Sequence, residues 1–169
     1  MRVVGIAGLP GSGKSLVASL FVKRGFALYT MGDIIRSYAK AKGITPDEAA
    51  ILIRLERGSR AVAAGLGVRG GDAVIDGLRS LDEVSTIEDA AGRLFLVFIA
   101  ASRRTRLRRL VERGRLDDPS TLAQFAMREY RELKLGVADL LSRADYILVN
   151  ENKSVEELDS EVEAIVKML

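Results

Sequence analysis

The sequence predicts a three-layer α/β domain, a five-stranded parallel sheet with helices on both faces. Three observations carry this expectation. Five short apolar runs (3–6, 26–29, 72–77, 94–99 and 146–149) alternate with segments whose apolar residues fall at helical spacing, and such alternation builds a parallel sheet through right-handed crossovers. The run 94–99 shows no polar alternation, as a strand buried on both faces requires. The first run leads straight into Gly8-Leu9-Pro10-Gly11-Ser12-Gly13-Lys14-Ser15, of the form G-x-x-x-x-G-K-[ST], and then into Leu16, Val17, Leu20 and Phe21 at helical spacing. Strand, glycine-rich loop and helix in that order are the context the motif needs.

A chain of 169 residues with 48% hydrophobic residues suits one domain, 1–169, with a substantial core. There is no internal repeat, low-complexity tract or Pro/Gly/Ser-rich linker. The absence of cysteine excludes disulfides and thiolate metal sites. The absence of histidine removes the usual general base and the usual transition-metal ligand. Any proton acceptor is then a carboxylate, and any metal a hard, oxygen-bound cation such as Mg²⁺. No signal peptide opens the chain and no apolar run is long enough to span a bilayer; a cytoplasmic location is expected. The net charge of +3 is built from 26 basic residues, 19 of them arginine. Arginine surplus suits bidentate phosphate recognition and equally a thermophile-like surface. The basic residues are not interleaved with aromatics, which weakens a nucleic-acid reading.

Taken in order, the first helix is predicted over 15–23, ending at Gly25, followed by strand 26–29. Gly32-Asp33 opens a helix that closes near Gly43, and Asp33 is placed either to cap it or to face a substrate hydroxyl. Thr45-Pro46-Asp47-Glu48 is a helix start with the hydroxyl at the cap, proline first and glutamate three residues on. That helix is expected to carry Ile51, Leu52, Leu55 and Val62 on one side, with Arg54, Arg57 and Arg60 on a solvated face. Four glycines between Gly65 and Gly71 predict a loop. Strand 72–77 ends in Asp76-Gly77, and Ser80-Leu81-Asp82-Glu83 reads as a second capping box, starting a helix to about Ala91. After strand 94–99, a helix begins near Ser102 with Leu107, Leu110 and Val111 facing inward. Residues 113–119 form a charged loop, a long helix runs from about Thr121 to Leu141, and Ser154 caps a final amphipathic helix.

The chemistry starts at the loop. Backbone N–H groups of Gly8 to Ser15 can converge on one anion, backed by the positive end of the following helix. Lys14 is placed to reach the outer phosphates of a nucleotide, and the Ser15 hydroxyl to ligate Mg²⁺. In a parallel sheet ligands bind beyond the carboxyl ends of the strands, and Asp33, Asp76 and the segment after Ile99 all lie there. Asp76 is a candidate Mg²⁺ carboxylate, its alternative being a pairing with Arg79. Phosphoryl transfer needs positive charge and excluded water more than covalent help. Arg109, Arg113, Arg115 and Arg128 can supply that charge; their alternative is a salt-bridged surface in which Arg115 pairs with Asp117 and Asp118.

Met31-Gly32-Asp33-Ile34-Ile35-Arg36 resembles the acceptor-side Gly-Asp-x-x-Arg segment of adenylate kinases and related nucleoside monophosphate kinases. Asp76-Gly77-Leu78-Arg79 is similar to their Asp-Gly-Phe-Pro-Arg, one residue shorter and without the proline. Arg115-Leu116-Asp117-Asp118 resembles the lid's Arg-x-Asp-Asp; Arg109 and Arg113 resemble the helix and lid-entry arginines, and Arg128 the second lid arginine. With Ala144-Asp145-Tyr146 and Val149-Asn150, the whole chain is similar to an archaeal family of adenylate-kinase-related proteins. The resemblance implies a P-loop NTPase fold with an acceptor-binding helical region at about 32–70 and a short lid at about 113–120. It implies a kinase moving the γ-phosphoryl of ATP to a small nucleotide-like acceptor. Gly8 to Ser15, Arg109 and Arg113 would hold the nucleotide, and Ser15 and Asp76 the Mg²⁺. Asp33, Arg36 and Arg79 would hold the acceptor, with Lys14, Asp33, Arg115 and Arg128 acting in catalysis. The short lid, the missing proline and the unusual 65–71 region set the chain apart from a standard AMP kinase. Dephospho-coenzyme A kinases share a similar loop and an acidic residue near the Asp33 position, acting as base toward a ribose hydroxyl, which makes that chemistry an alternative. A nucleotide-dependent switch, contacting RNA or protein through the arginines at 103–109, is the rival from outside enzymes. The guanine-reading Asn-Lys-x-Asp is absent, since Asn152-Lys153-Ser154-Val155 lacks the carboxylate.

Overall fold

A computed structural model describes residues 1–114 and 118–169; the expectations for Arg115, Leu116 and Asp117 lie outside the described residues. Five strands, β1 (Val3–Ala7), β2 (Ala27–Thr30), β3 (Ala73–Leu78), β4 (Leu94–Ala100) and β5 (Tyr146–Val149), pair in the order β2-β3-β1-β4-β5. Every pairing is parallel. The predicted α/β class and strand set are therefore observed. β1 sits at the centre, and the chain leaves it for opposite sides of the sheet, toward β2 and β3 first and β4 and β5 later. The crevice beyond its carboxyl end is the switch point where α/β sheets bind ligands.

β1 is buried at all five positions, with alternate residues feeding two cores. Val3 and Ala7 join Ile75, Leu96, Met31, Ile53, Ile87 and Leu140 on one face. Val4 and Ile6 join Val74, Val97, Val17, Phe21, Leu158 and Ile165 on the other. The first face is covered by α2 (Met31–Lys42), α3 (Pro46–Arg57), the short α4 (Ala61–Ala64), α5 (Leu81–Ala91) and α8 (Val137–Arg143). The second is covered by α1 (Lys14–Val22) and α9 (Val155–Met168). α6 (Arg103–Arg113) and α7 (Leu122–Leu135) lie along the carboxyl-end crevice.

The capping signals at Thr45 and Ser154 form complete boxes, each hydroxyl accepting from the backbone of a glutamate whose carboxylate reaches back to the cap. Ser80 forms half of one. Its hydroxyl accepts from the Glu83 N–H, but the Glu83 carboxylate is drawn away to the Arg54 guanidinium at 2.6 Å and the Arg79 N–H at 2.7 Å. Arg54 is consequently not on a solvated face as predicted: it and Glu83 form an inward ion pair with side chains 12% and 0% exposed.

Three helical expectations are corrected. The helix from Pro46 stops at Gly58 (φ +89°), so Val62 belongs to α4. Its buried residues are Ala49 and Ile53, while Ile51 and Leu55 face water. The predicted 121–141 helix is two helices, broken at Gly136, whose φ of +106° ends α7 and begins α8. On α6, Leu110 is inward but Val111 is exposed, and Arg106 is buried in its stead.

Candidate functional site

β1 ends at Ala7 and the chain turns through residues 8–13 before α1 begins at Lys14. Two glycines permit the turn. Gly11 has φ +81°, and a Cβ there would lie 2.5 Å from the Arg106 carbonyl oxygen; Gly13 has φ +98°, and a Cβ would meet Asn150 Nδ2 at 2.3 Å. A side chain would be strained at both by conformation, and at Gly11 it would also run into backbone. The Ser12 N–H closes the turn on the Leu9 carbonyl at 3.2 Å.

Lys14 folds back over this loop, its ammonium donating to the carbonyls of Gly8 at 2.9 Å and Leu9 at 3.2 Å. Burial pulls its pKa down to about 8, and the negative charges of Glu132 and Asp76 oppose that fall. Ser15 follows in the first turn of α1, and its hydroxyl donates to Asp76 Oδ2 at 2.7 Å. Asp76 comes from the carboxyl end of β3, the strand paired to β1, and is 7% exposed. The alternative partner for Asp76, Arg79, instead donates Nε to Glu132 at 2.9 Å. One hydroxyl and one carboxylate side by side at the phosphate loop suit a hard cation whose remaining ligands are phosphate oxygens and water. Among the described residues no group of three or more carboxylates gathers as a metal site.

These residues open onto a cleft of about 400 Å³. Besides the loop, it is lined by Arg36, Arg79, Arg109, Arg113, Arg128 and Arg131, with Asp47, Asp76 and Glu132 as its carboxylates. Arg109 reaches across to the loop, donating to the Ser12 carbonyl at 3.4 Å and the Asn150 carbonyl at 3.1 Å. Arg113 and Arg128 both bind the carboxylate of Asp118, whose side chain is 2% exposed. For Arg79, burial disfavours the charge, but the carboxylates of Glu132, Glu83 and Asp76 outweigh it and hold its pKa above the ordinary value.

Of the sequence-predicted residues, the cleft thus gathers Lys14, Ser15, Asp76, Arg36, Arg79, Arg109, Arg113 and Arg128. Asp33 does not line it. It pairs with Arg36 at 2.5 Å on the helix exterior, both side chains more than half exposed. Sequence reasoning missed three participants. Arg131 spans to Asp47 of α3 at 2.7 Å, Glu132 holds Arg79, and Asn150 donates Nδ2 to the Ser12 carbonyl at 2.8 Å from the end of β5. The signal for the first two is the run Arg128-Glu129-Tyr130-Arg131-Glu132, whose charges recur at the three- and four-residue spacing of one helix side.

A polyphosphate bound on residues 8–15 would need Lys14 charged, and the pKa of about 8 would then give nucleotide binding a pH limb. Below pH 8 the ammonium is present beforehand; above it, binding must take up a proton, and affinity falls toward about tenfold per pH unit. The sign for folding is the reverse. With the folded pKa below the 10.5 of a free lysine, the unfolded chain holds more protons between pH 8 and 10.5, so the cost of burying this charge is relieved as pH rises. Calorimetric titration of MgATP between pH 7 and 10, in buffers of different ionisation enthalpy, checks the proton uptake.

Residues 4–132 match the AAA domain family AAA_18. Over 96% of its length the chain is 50% identical to a UPF0200 protein of Pyrobaculum aerophilum, and the match covers 95% of that protein. The chain belongs to the UPF0200 family. A UPF0200 protein of Thermococcus kodakarensis is 40% identical, with 97% of this chain and 96% of that one covered. Two solved structures share the fold of this UPF0200 chain. TT1252 from Thermus thermophilus matches with TM-score 0.67 and 20% identity, over 99% of this chain and 97% of that one. The shikimate kinase from Acinetobacter baumannii in complex with shikimate matches with TM-score 0.67 and 13% identity, over 99% and 94%. At these identities the likeness is one of fold. No described helix is long and apolar enough to cross a membrane.

Proposed function

We propose that this protein is a P-loop phosphotransferase that moves the γ-phosphoryl of ATP to a small nucleotide-like acceptor. The observation that carries this is the Lys14–Ser15–Asp76 arrangement, with its Ser15–Asp76 bond of 2.7 Å, at the floor of an arginine-lined cleft. Lys14 would leave the Gly8 and Leu9 carbonyls for the outer phosphates, as a phosphate-loop lysine does. Ser15 and Asp76 would hold Mg²⁺, directly or through water; the ion, when bound, neutralises charge on the phosphate oxygens. Arg109, Arg113 and Arg128 would offset the charge that spreads over the transferring group, together with Arg115. Arg36 and Arg79 would grip the acceptor's anionic group. The bond from the γ-phosphorus to its bridging oxygen breaks as one to the acceptor oxygen forms, leaving ADP.

The placement of Asp33 bears on which acceptor is favoured. A hydroxyl acceptor must lose a proton to a base, whereas a phosphate acceptor has none to lose at neutral pH. Asp33 stands outside the cleft on Arg36, which supports a phosphate acceptor, as in the nucleoside monophosphate kinases, over transfer to a ribose hydroxyl. The switch reading keeps only part of its surface: on α6, Arg106 is buried on Glu129 and Arg109 reaches the phosphate loop, while Arg103, Arg104 and Arg108 stay exposed.

Purified protein given MgATP and, one at a time, AMP, CMP, UMP and dephospho-coenzyme A tests this, with ADP release followed by a coupled assay. A nucleoside monophosphate is expected to stimulate ADP release about tenfold or more over ATP alone, and Asp33→Asn to keep most of that rate. Stimulation by dephospho-coenzyme A with loss in Asp33→Asn would favour the hydroxyl acceptor, and stimulation by RNA or protein alone the switch.

A further inference from the structure

Carbonyl groups of the phosphate loop accept from side chains at Gly8, Leu9, Pro10 and Ser12, and Leu9 accepts from the Ser12 N–H as well. Among the described residues, Lys14 serves Gly8 and Leu9, Asn150 and Arg109 serve Ser12, and Arg106 serves Pro10 through Nη1 at 3.3 Å. Lys14 is the donor that must turn away when polyphosphate enters. The loop's backing then rests on Asn150, fixed at the end of β5, and on the two α6 arginines.

Arg106 is an odd residue to bury. Its side chain is 5% exposed, with Nε on the Ala101 carbonyl at 3.2 Å, Nη2 on Glu129 Oε1 at 2.5 Å and the guanidinium 5.5 Å from the centre of the Phe125 ring. Both Phe125 and Glu129 belong to α7. A buried ion pair is weak evidence for stability, because desolvation offsets the attraction and apolar side chains of similar volume often serve as well. What the pair does supply is a rigid fork that reaches the loop and α7 at once. α7 is in turn tied to the rest of the cleft: Arg128 to Asp118, Arg131 to Asp47 of α3, and Glu132 to Arg79. The segment 128–132 therefore touches Asp118, the α3 wall and the loop after β3, and through Glu129 and Arg106 it touches the phosphate loop.

We propose that Arg106 and Glu129 are positioning residues that set the phosphate loop for polyphosphate, making its grip depend on the seat of α7. This rests on residues 8–15 being the polyphosphate site, as proposed above. An acceptor anion that draws Arg79 or Arg131 from its carboxylate partner acts on α7, and the Glu129–Arg106–Pro10 chain carries the change to the donor side.

The test uses the full chain, with MgATP and inorganic tripolyphosphate as calorimetric probes. The second probe carries the phosphates without base or ribose. In the double variant R106M/E129Q neither charge of the buried pair is left stranded, and methionine keeps the stem packed on Phe125. The melting temperature is expected to stay within a few degrees of wild type, while both probes bind about tenfold or more weakly and by similar factors. A merely structural role would move the melting temperature and leave the two affinities alone. Should the double variant fail to fold, R106Q/E129Q, which likewise strands no charge and leaves an amide donor on α6, is measured in its place, and a smaller loss in the same direction is expected. Wild-type affinity for both probes in the folded variant overturns the inference while leaving the loop assignment standing. If wild-type protein binds neither probe, the loop assignment falls and the inference falls with it.

Discussion

Replacing Lys14 by alanine is expected to lower ATP turnover by about 10³-fold or more, equivalent to about 4 kcal/mol of transition-state stabilisation, while the protein still folds. The two halves of that expectation have separate causes. Turnover falls because Lys14 is the cation on the loop itself; the arginines that share the cleft stand on α2, α6, α7 and the segment after β3, and none replaces a point charge beside the outer phosphates. Stability holds because the ammonium gains little from its place in the loop. Burial already pulls its pKa down to about 8, so removing the charge ends a desolvation cost, offset by the Gly8 and Leu9 carbonyls losing their donor. Steady-state ADP release and thermal melting, measured on one preparation, check both halves. Turnover within a few-fold of wild type would remove the phosphate loop from the proposed reaction. Wild-type melting with lost turnover would place Lys14 in the chemistry, not in the scaffold.

What could be read from the sequence was what is local. Gly8 to Ser15 needs no partner to be recognised, because loop, glycines, lysine and hydroxyl are consecutive, and glycine allows the positive φ found at positions 11 and 13. Asp76 was legible for a related reason. All strands run parallel, so their carboxyl ends share one edge, and a carboxylate ending an apolar run next to β1 has to face the loop. Partner choice was not legible. Arg54 meets Glu83 across 29 residues and Arg106 meets Glu129 across 23; the sequence contains the charges, but only the packing of α3 on α5 and of α6 on α7 decides which meet. The same blindness turned two inward arginines into surface ones and made Val111 inward. Helix breaks failed for a different reason. Around Gly58 and Gly136 the apolar spacing continues through the glycine, and a glycine inside a helical pattern is compatible with either continuation or an end. The left-handed backbone at Gly136 is chosen by where α8 must dock, with Val137 and Leu140 fully buried.

Replacing Asp76 by asparagine is the second large effect, an expected fall of about 10²–10³-fold in kcat/KM for MgATP with an almost unchanged melting temperature. Asparagine has the same volume, and its side-chain carbonyl still accepts the Ser15 hydroxyl that the carboxylate accepts at 2.7 Å. The loop and β3 thus stay joined, and the change isolates one negative charge. Losing it has two separable consequences. If Asp76 holds Mg²⁺ with Ser15, the Mg²⁺ concentration giving half-maximal turnover rises, and ATP binding without Mg²⁺ does not weaken, because one repulsion toward the phosphates has gone. Asp76 is also one of the carboxylates that keep Lys14 charged against its burial, so the alkaline limb of ATP binding moves to lower pH in the variant. A structural role for Asp76 predicts neither signature: stability would fall and both titrations would keep their midpoints. A variant with normal Mg²⁺ dependence and an unshifted alkaline limb would mean that the Ser15–Asp76 pair only fastens α1 to the sheet, and the cation would have to be held by the nucleotide and Ser15 without it.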